Sequence, residues 1–328
     1  MKWSRLSRLI GLMLLIVLLI RLDVRTLLVS LRDVNAYLLV AAVLLNVPML
    51  LAKVVRWLIT LIAQGISWSV CEATLAYAGS IYLGLVTPAR AGEFVKALHV
   101  SQDCNVTMGR ALSNVLADRL FDLYALLVVG GIALLSPGVC RDGHSVLGLA
   151  LLTLLLTLPL MAFLHEGVFG CIRALGPHLG RPGQWLFASQ SWLLELRNGL
   201  RQLSLLWLVA AVGLTVLAYV IFFGQCYLLA LALGLKTSFV QVSFAVALGS
   251  LVTLLPISIS GLGTREAAIV AYLGTAGVPA EMALGFSLLV FVTFYITGGL
   301  IGAVAWWIKP APVQWKRSFV TTEPGNDI

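Results

Sequence analysis

Residues 254–268 read Leu-Leu-Pro-Ile-Ser-Ile-Ser-Gly-Leu-Gly-Thr-Arg-Glu-Ala-Ala, a polar interruption between two segments apolar enough to lie in a membrane. No other feature constrains the chain as much. An unpaired N–H or C=O group in hydrocarbon is costly, so backbone that leaves a helix there must be shielded by protein or line a wet cavity. Residues 256–263 therefore read as a helix break at membrane depth. Thr264 reads as the N-cap of a new helix that starts at Arg265, with Glu266 in its positively polarised first turn. Free N–H groups at such a start are suited to holding an anion. The binding candidates of this break are Gly261, Gly263, Thr264, Arg265 and Glu266.

A related pattern occurs in the first half, where residues 85–96 read Leu-Val-Thr-Pro-Ala-Arg-Ala-Gly-Glu-Phe-Val-Lys. Again a proline precedes small residues, an arginine, a glycine and a glutamate that opens a helix. Interrupted apolar segments in corresponding positions of two halves point to a transport site at a repeat interface. Two ordinary interhelical loops at the membrane surface are the alternative. Arg90 and Glu93 are the candidates from this break.

Both readings need a membrane, and the composition supplies it. Hydrophobic residues make up 60% of the chain and charged residues 11%, against about 25% charged in soluble domains. Continuous apolar runs, rather than alternating ten-residue strands, favour helices over a barrel. The expected fold class is all-α: a polytopic membrane protein of about six spans plus two oppositely oriented re-entrant helical hairpins, an inverted repeat.

The net charge of +8 sits beside the apolar runs, where it acts as a topology signal and anchor for anionic lipid headgroups, and nucleic acid is not an expected partner. Five cysteines are scattered without a C-x-x-C pair, so they read as small buried hydrophobes. No metal or cofactor is expected.

In chain order, the runs at 9–20, 37–51, 111–135, 146–163, 205–233 and 282–307 are the expected spans. Residues 22–35 and 185–200 read as helices lying on the membrane surface. The segment 69–86, rich in small residues, suits a half-helix that turns back at Thr87. Lys53, Arg56 and Trp57 read as an interfacial end of a span. The span at 111–135 carries Asp118, Arg119 and Asp122, each costing about 2.5–3.5 kcal/mol near the bilayer centre, so they must face protein or water. Asp118 and Asp122 share a helix face, and Arg119 is spaced to pair with Asp122. Collecting the basic residues on one side puts both termini in the cytoplasm and makes the two breaks enter from opposite faces. The expected organisation is one membrane domain over residues 1–308, with pseudo-repeats at about 36–135 and 204–308, and a cytoplasmic tail at 309–328.

The elements Arg56-Trp57, Pro88-Ala-Arg-Ala-Gly-Glu93, Asp118-Arg-Leu-Phe-Asp122 and the stretch from Leu255 to Glu266 resemble the lysylphosphatidylglycerol synthase/flippase transmembrane-region family. The likeness spans nearly the whole chain, and its most specific parts are P-x-R-x-G-E and G-L-G-x-R-E. It implies a domain that moves a modified lipid between leaflets, with related members tied to hopanoid or glycolipid traffic. Synthesis in that family belongs to a separate aminoacyltransferase domain, expected to be absent here. Ser260 stands where the family pattern has a glycine.

The leading functional expectation is a lipid flippase in a bacterial inner membrane, with a polar cavity at mid-depth for the headgroup. Its partners would be membrane lipids: an anionic phospholipid, an aminoacylated lipid, a hopanoid or a glycolipid. Arg90, Arg119 and Arg265 would take phosphate, while Glu93, Asp118, Asp122 and Glu266 would meet a cationic headgroup or balance the arginines. Two alternatives stand beside it. One is an intramembrane lipid-modifying enzyme, although no histidine follows His178 to serve Ser258 or Ser260 as a base, and no H-E-x-x-H occurs. The other is a non-catalytic accessory subunit that packs against a lipid-pathway partner; a homodimer or a lipid-pathway enzyme is the expected protein partner.

Overall fold

A computed structural model describes residues 32–87, 90–135, 204–254 and 261–310, together with the isolated positions 153, 198 and 258. The expected anchor at 9–20, most of the surface helix at 22–35, the span at 146–163, the helix at 185–200 and nearly all of the tail lie outside these residues. So do Pro88 and Pro256.

All regular elements among the described residues are helical. In chain order they are α1 (Ala36–Leu44), α2 (Asn46–Ala63), α3 (Val70–Val86), a 3-10 turn (Ala91–Val95), α4 (Lys96–Asp103), α5 (Met108–Leu134), α6 (Leu205–Ala232), α7 (Phe239–Thr253), α8 (Thr264–Thr275), α9 (Ala280–Val290), a π-helical stretch (Phe291–Ile296) and α10 (Thr297–Ile308).

Three helical runs are long and apolar enough to cross a membrane: Ala36–Ala63, Leu205–Ala232 and Ala280–Ile308. At 1.5 Å per residue each is roughly 42 Å long, more than the ~30 Å hydrocarbon core requires. No more than 33% of the most apolar stretch of any of them is buried inside the protein. Most of their side chains therefore face outward, which is tenable in lipid and not in water.

Local sequence explains where the runs begin and end. Asn35 caps α1 by accepting from the N–H groups of Tyr37 (3.0 Å) and Leu38 (3.3 Å), and its own N–H donates to the Ala232 carbonyl (3.0 Å). The start of α1 is thus pinned to the end of α6. Ser238 and Gln241 form a capping box at the start of α7.

The buried hydrophobic residues form two clusters. One gathers residues 54–115 from α2, α3, α4 and α5. The other gathers α6, α7, α8 and α9, with Ala42, Met49, Leu126 and Ala133 reaching in from the first half. The halves join chiefly where α3 packs on α10 and α2 packs on α6. The small residues of α3 serve this contact, since Gly302 of α10 lies against the Ala78 carbonyl and the Tyr82 backbone so closely that a Cβ has no room.

Candidate functional site

The charged centre begins on α5. Asp118 and Asp122 are four residues apart and present both carboxylates on one face, as their spacing predicts. That face meets α2. Arg56, with no exposed surface, donates from Nε (3.1 Å) and Nη2 (2.7 Å) to Asp118 Oδ1 and from Nη1 (2.8 Å) to Asp122 Oδ1. Its Nη1 also reaches Thr215 Oγ1 on α6 at 3.1 Å, so one guanidinium fastens three helices. Lys53, one turn earlier on α2, pairs with Asp122 Oδ2 at 3.1 Å. Lys96, buried at the start of α4, pairs with Asp118 Oδ2 and sits over the rings of Tyr77 (4.3 Å) and Trp57 (5.1 Å).

The first break supplies a second group. Thr87 Oγ1 donates to the Leu83 carbonyl (2.8 Å) and accepts from the Gly92 N–H (2.7 Å), folding the chain back on the end of α3. Gly92 is needed there, because a Cβ would run into the Leu83 carbonyl. Arg90 takes a left-handed conformation, φ 56° and ψ 30°, uncommon for a residue with a side chain. This turn carries Glu93, 3% exposed, between Arg90 (Nε to Oε1 2.8 Å) and Arg119. Arg119 pairs with Glu93 rather than with Asp122, the partner its spacing offers. Asp118 and Asp122 are taken by α2 and α4, and Arg119 points about 100° away from Asp118 around the helix.

The second break is organised by glycine. Gly261 (φ 74°) and Gly263 (φ 82°) take backbone angles that disfavour a side chain. Gly263, and not Thr264, caps α8. Its N–H donates to Glu266 Oε2 at 2.6 Å. Thr264 instead uses its hydroxyl within the turn, bonding the Gly261 carbonyl (3.1 Å) and Ser258 Oγ (2.9 Å). Arg265 pairs with Glu266, and the two are 2% and 0% exposed. The guanidinium rests 4.9 Å from the centroids of both Phe291 and Tyr295 in the π-helical stretch.

Tyr295 connects the two breaks. Arg90 lies 5.7 Å from the same ring centroid that carries Arg265. π-Helical stretches are rare and often mark functional positions. We predict that Tyr295→Leu lowers the unfolding temperature, with a loss of about 1–2 kcal/mol through the two cation–π contacts. Tyr295→Phe keeps the ring and should melt close to the unaltered protein. Equal melting of the Leu and Phe variants would show that the ring faces are not used.

These groups border a cavity of about 660 Å3. Lys53, Arg90, Arg119 and Asp122 form its charged side. The remaining wall is mostly apolar: leucines of α5, Phe222 of α6, the end of α7 and Phe294. Tyr219 and Tyr295 also line it, and the Tyr219 hydroxyl donates to the Asp122 carbonyl (3.2 Å). Arg265 reaches the cavity through Tyr295. Among the described residues no group of three or more His, Cys, Asp or Glu side chains is arranged to hold a metal.

The structure thus places Asp118 and Asp122 in one ion-pair network, Arg90, Glu93 and Arg119 in a second beside the same cavity, and Gly261, Gly263, Thr264, Arg265 and Glu266 in a third. The spacing analysis missed Lys53, Arg56, Lys96 and Tyr295. Lys53 and Arg56 read as an interfacial anchor, yet both turn inward, to carboxylates on α5. The available signal was that K-x-x-R on one helix has the reach to meet D-x-x-x-D on another.

A family model described as the lysylphosphatidylglycerol synthase TM region matches residues 6–302. The chain belongs to that family. No curated protein matches it at a significant level. As a member of the lysylphosphatidylglycerol synthase transmembrane-region family with long, outward-facing apolar helices, it is a membrane protein. The residues that carried the resemblance now have places: Arg56 holds the aspartates of α5, the P-x-R-x-G-E segment supplies Arg90 and Glu93, and the G-L-G-x-R-E segment supplies the glycine-capped start of α8.

Proposed function

We propose that this protein is a lipid flippase, moving a phospholipid or a related lipid between leaflets through its charged cavity. The observation that carries this reading is a cavity of about 660 Å3 in a membrane protein, charged on one side and apolar on the rest. A lipid headgroup does not cross a bilayer readily because charge is expensive to desolvate. A cavity that offers ion-pairing groups beside apolar walls lowers that cost while leaving the acyl chains in an oily environment.

In this reading the two breaks are re-entrant hairpins that enter from opposite faces, in pseudo-repeats at about 36–135 and 204–308 of one membrane domain with about six spans. Both termini lie in the cytoplasm, and the membrane is a bacterial inner membrane. Arg90, Arg119 and Arg265 are the groups for phosphate. Family membership supports the lipid connection. An enzyme is less well supported, since Glu93, Asp118, Asp122 and Glu266 are all held by cations and none stands free as a base.

The test is reconstitution of the purified chain into vesicles carrying a lipid labelled with a quenchable fluorophore. Flippase activity predicts that quencher added outside reaches label that began in the inner leaflet, faster than in vesicles without protein. Product formation without movement would point to an enzyme, and neither outcome to an accessory subunit.

A further inference from the structure

The ion pairs at the cavity wall and directly behind it do not balance. Asp118 is shared by Arg56 and Lys96, Asp122 by Arg56 and Lys53, and Glu93 by Arg90 and Arg119. Among the described residues, five cations therefore serve three carboxylates, and each carboxylate already has two cationic partners. Counted at formal charge, the cluster has two positive charges in excess. The Arg265–Glu266 pair across Tyr295 is neutral and leaves that sum unchanged. The Nε of Arg119 is buried without a hydrogen-bond partner, and Arg119 lines the cavity.

Uncompensated positive charge next to an apolar wall is held at a cost until an anion arrives. We infer that the headgroup this cavity selects carries phosphate and no ammonium, as in phosphatidylglycerol or phosphatidic acid. The inference rests on the lipid-transport reading and narrows it. A zwitterionic headgroup brings a phosphate but also an ammonium, and among the described residues the carboxylate that lines the cavity, Asp122, is already paired with Lys53 and Arg56. A lysylated headgroup carries two ammonium groups, more positive charge than a zwitterion, and meets Lys53, Arg90 and Arg119 as like charges. The leucines of α5 and the end of α7 suit the acyl chains, so the phosphate is that of a lipid and not a free ion.

The experiment is a comparison of binding by the full chain in detergent. Its unfolding temperature is followed against short-chain phosphatidylglycerol, phosphatidylcholine, phosphatidylethanolamine, lysylphosphatidylglycerol and inorganic phosphate. Phosphatidylglycerol is expected to bind about tenfold or more tightly than either zwitterion, and lysylphosphatidylglycerol no better than they do. Arg119→Gln should erase part of that lead, weakening phosphatidylglycerol binding more than phosphatidylcholine binding. Equal affinities, or tighter binding of the lysyl lipid, overturn the inference, and inorganic phosphate matching phosphatidylglycerol overturns the lipid as its source. The same lipids are then followed in vesicles. Selective binding without movement of any lipid keeps this inference and removes the transport reading; movement without selectivity does the reverse.

Discussion

Arg56→Ala will cost the protein about 3–5 kcal/mol, the loss expected when one partner of a buried charge pair is removed. Native stabilities are about 5–15 kcal/mol, so a loss of that size takes a large share of the whole. The side chain has no exposed surface and satisfies Asp118, Asp122 and Thr215 together. Without it Asp118 keeps only Lys96 and Asp122 only Lys53. The volume left behind lies at the junction of α2, α5 and α6, where Lys53, paired with Asp122 and 5.1 Å from the Tyr219 ring centroid, would remain to bridge the three. Arg56→Lys retains the charge but lacks the planar fork that addresses both aspartates, so it should fall between the two. Arg56→Met combined with Asp118→Asn removes a charge of each sign and should recover part of the loss, because the uncompensated carboxylate goes with its partner. Unfolding temperature and monodispersity in detergent report all of these. An Arg56→Ala protein that melts with the unaltered one would show that the cluster does not hold the helices together.

That cluster also marks the limit of what the sequence discloses. The membrane class and most helix ends were legible, because apolar runs bounded by polar residues are local signals. A helix, Met108–Leu134, stands at the span expected at 111–135, although it is not among the three runs long and apolar enough to cross a membrane, and the span expected at 282–307 is the α9–π–α10 run from Ala280 to Ile308. The breaks were legible because proline, glycine and a charged pair in apolar surroundings demand a reason. Arg56 was not legible in the same way. A basic residue beside a tryptophan near a helix end looks identical whether it anchors in headgroups or turns inward, and only α5, 62 residues further along, decides which. Arg119 shows the same limit in reverse. Its local spacing favours Asp122, but the packing of α2 against α5 claims that carboxylate, and the turn at the first break delivers Glu93 instead. Tyr295 carries no sequence signal, being one aromatic residue in an apolar run. Its use depends on where two distant arginines come to rest.

Glu266→Gln will leave the fold in place and reduce lipid movement by about tenfold or more, equivalent to about 1.4 kcal/mol or more on the barrier. The amide oxygen of glutamine still accepts the Gly263 N–H that closes the start of α8, so the cap survives. What disappears is the negative charge opposite Arg265. The guanidinium, 2% exposed, is then held only by the ring faces of Phe291 and Tyr295, and its charge is free to act on whatever occupies the cavity beyond Tyr295. A site that must release its cargo cannot hold an anion with a new unneutralised cation, so passage slows although binding tightens. Arg265→Ala acts from the other side. It leaves Glu266 buried with the Gly263 N–H as its remaining contact and strips Tyr295 of one of its two cations. Movement should be lost here as well, with a larger drop in unfolding temperature than Glu266→Gln shows, because a lone carboxylate is dearer to bury than an amide. The readouts are the vesicle assay for movement and the melting temperature for the fold, taken on the same preparations. Both variants moving lipid at the unaltered rate would take the second break out of the pathway and leave Arg90, Arg119 and Lys53 to handle the headgroup alone.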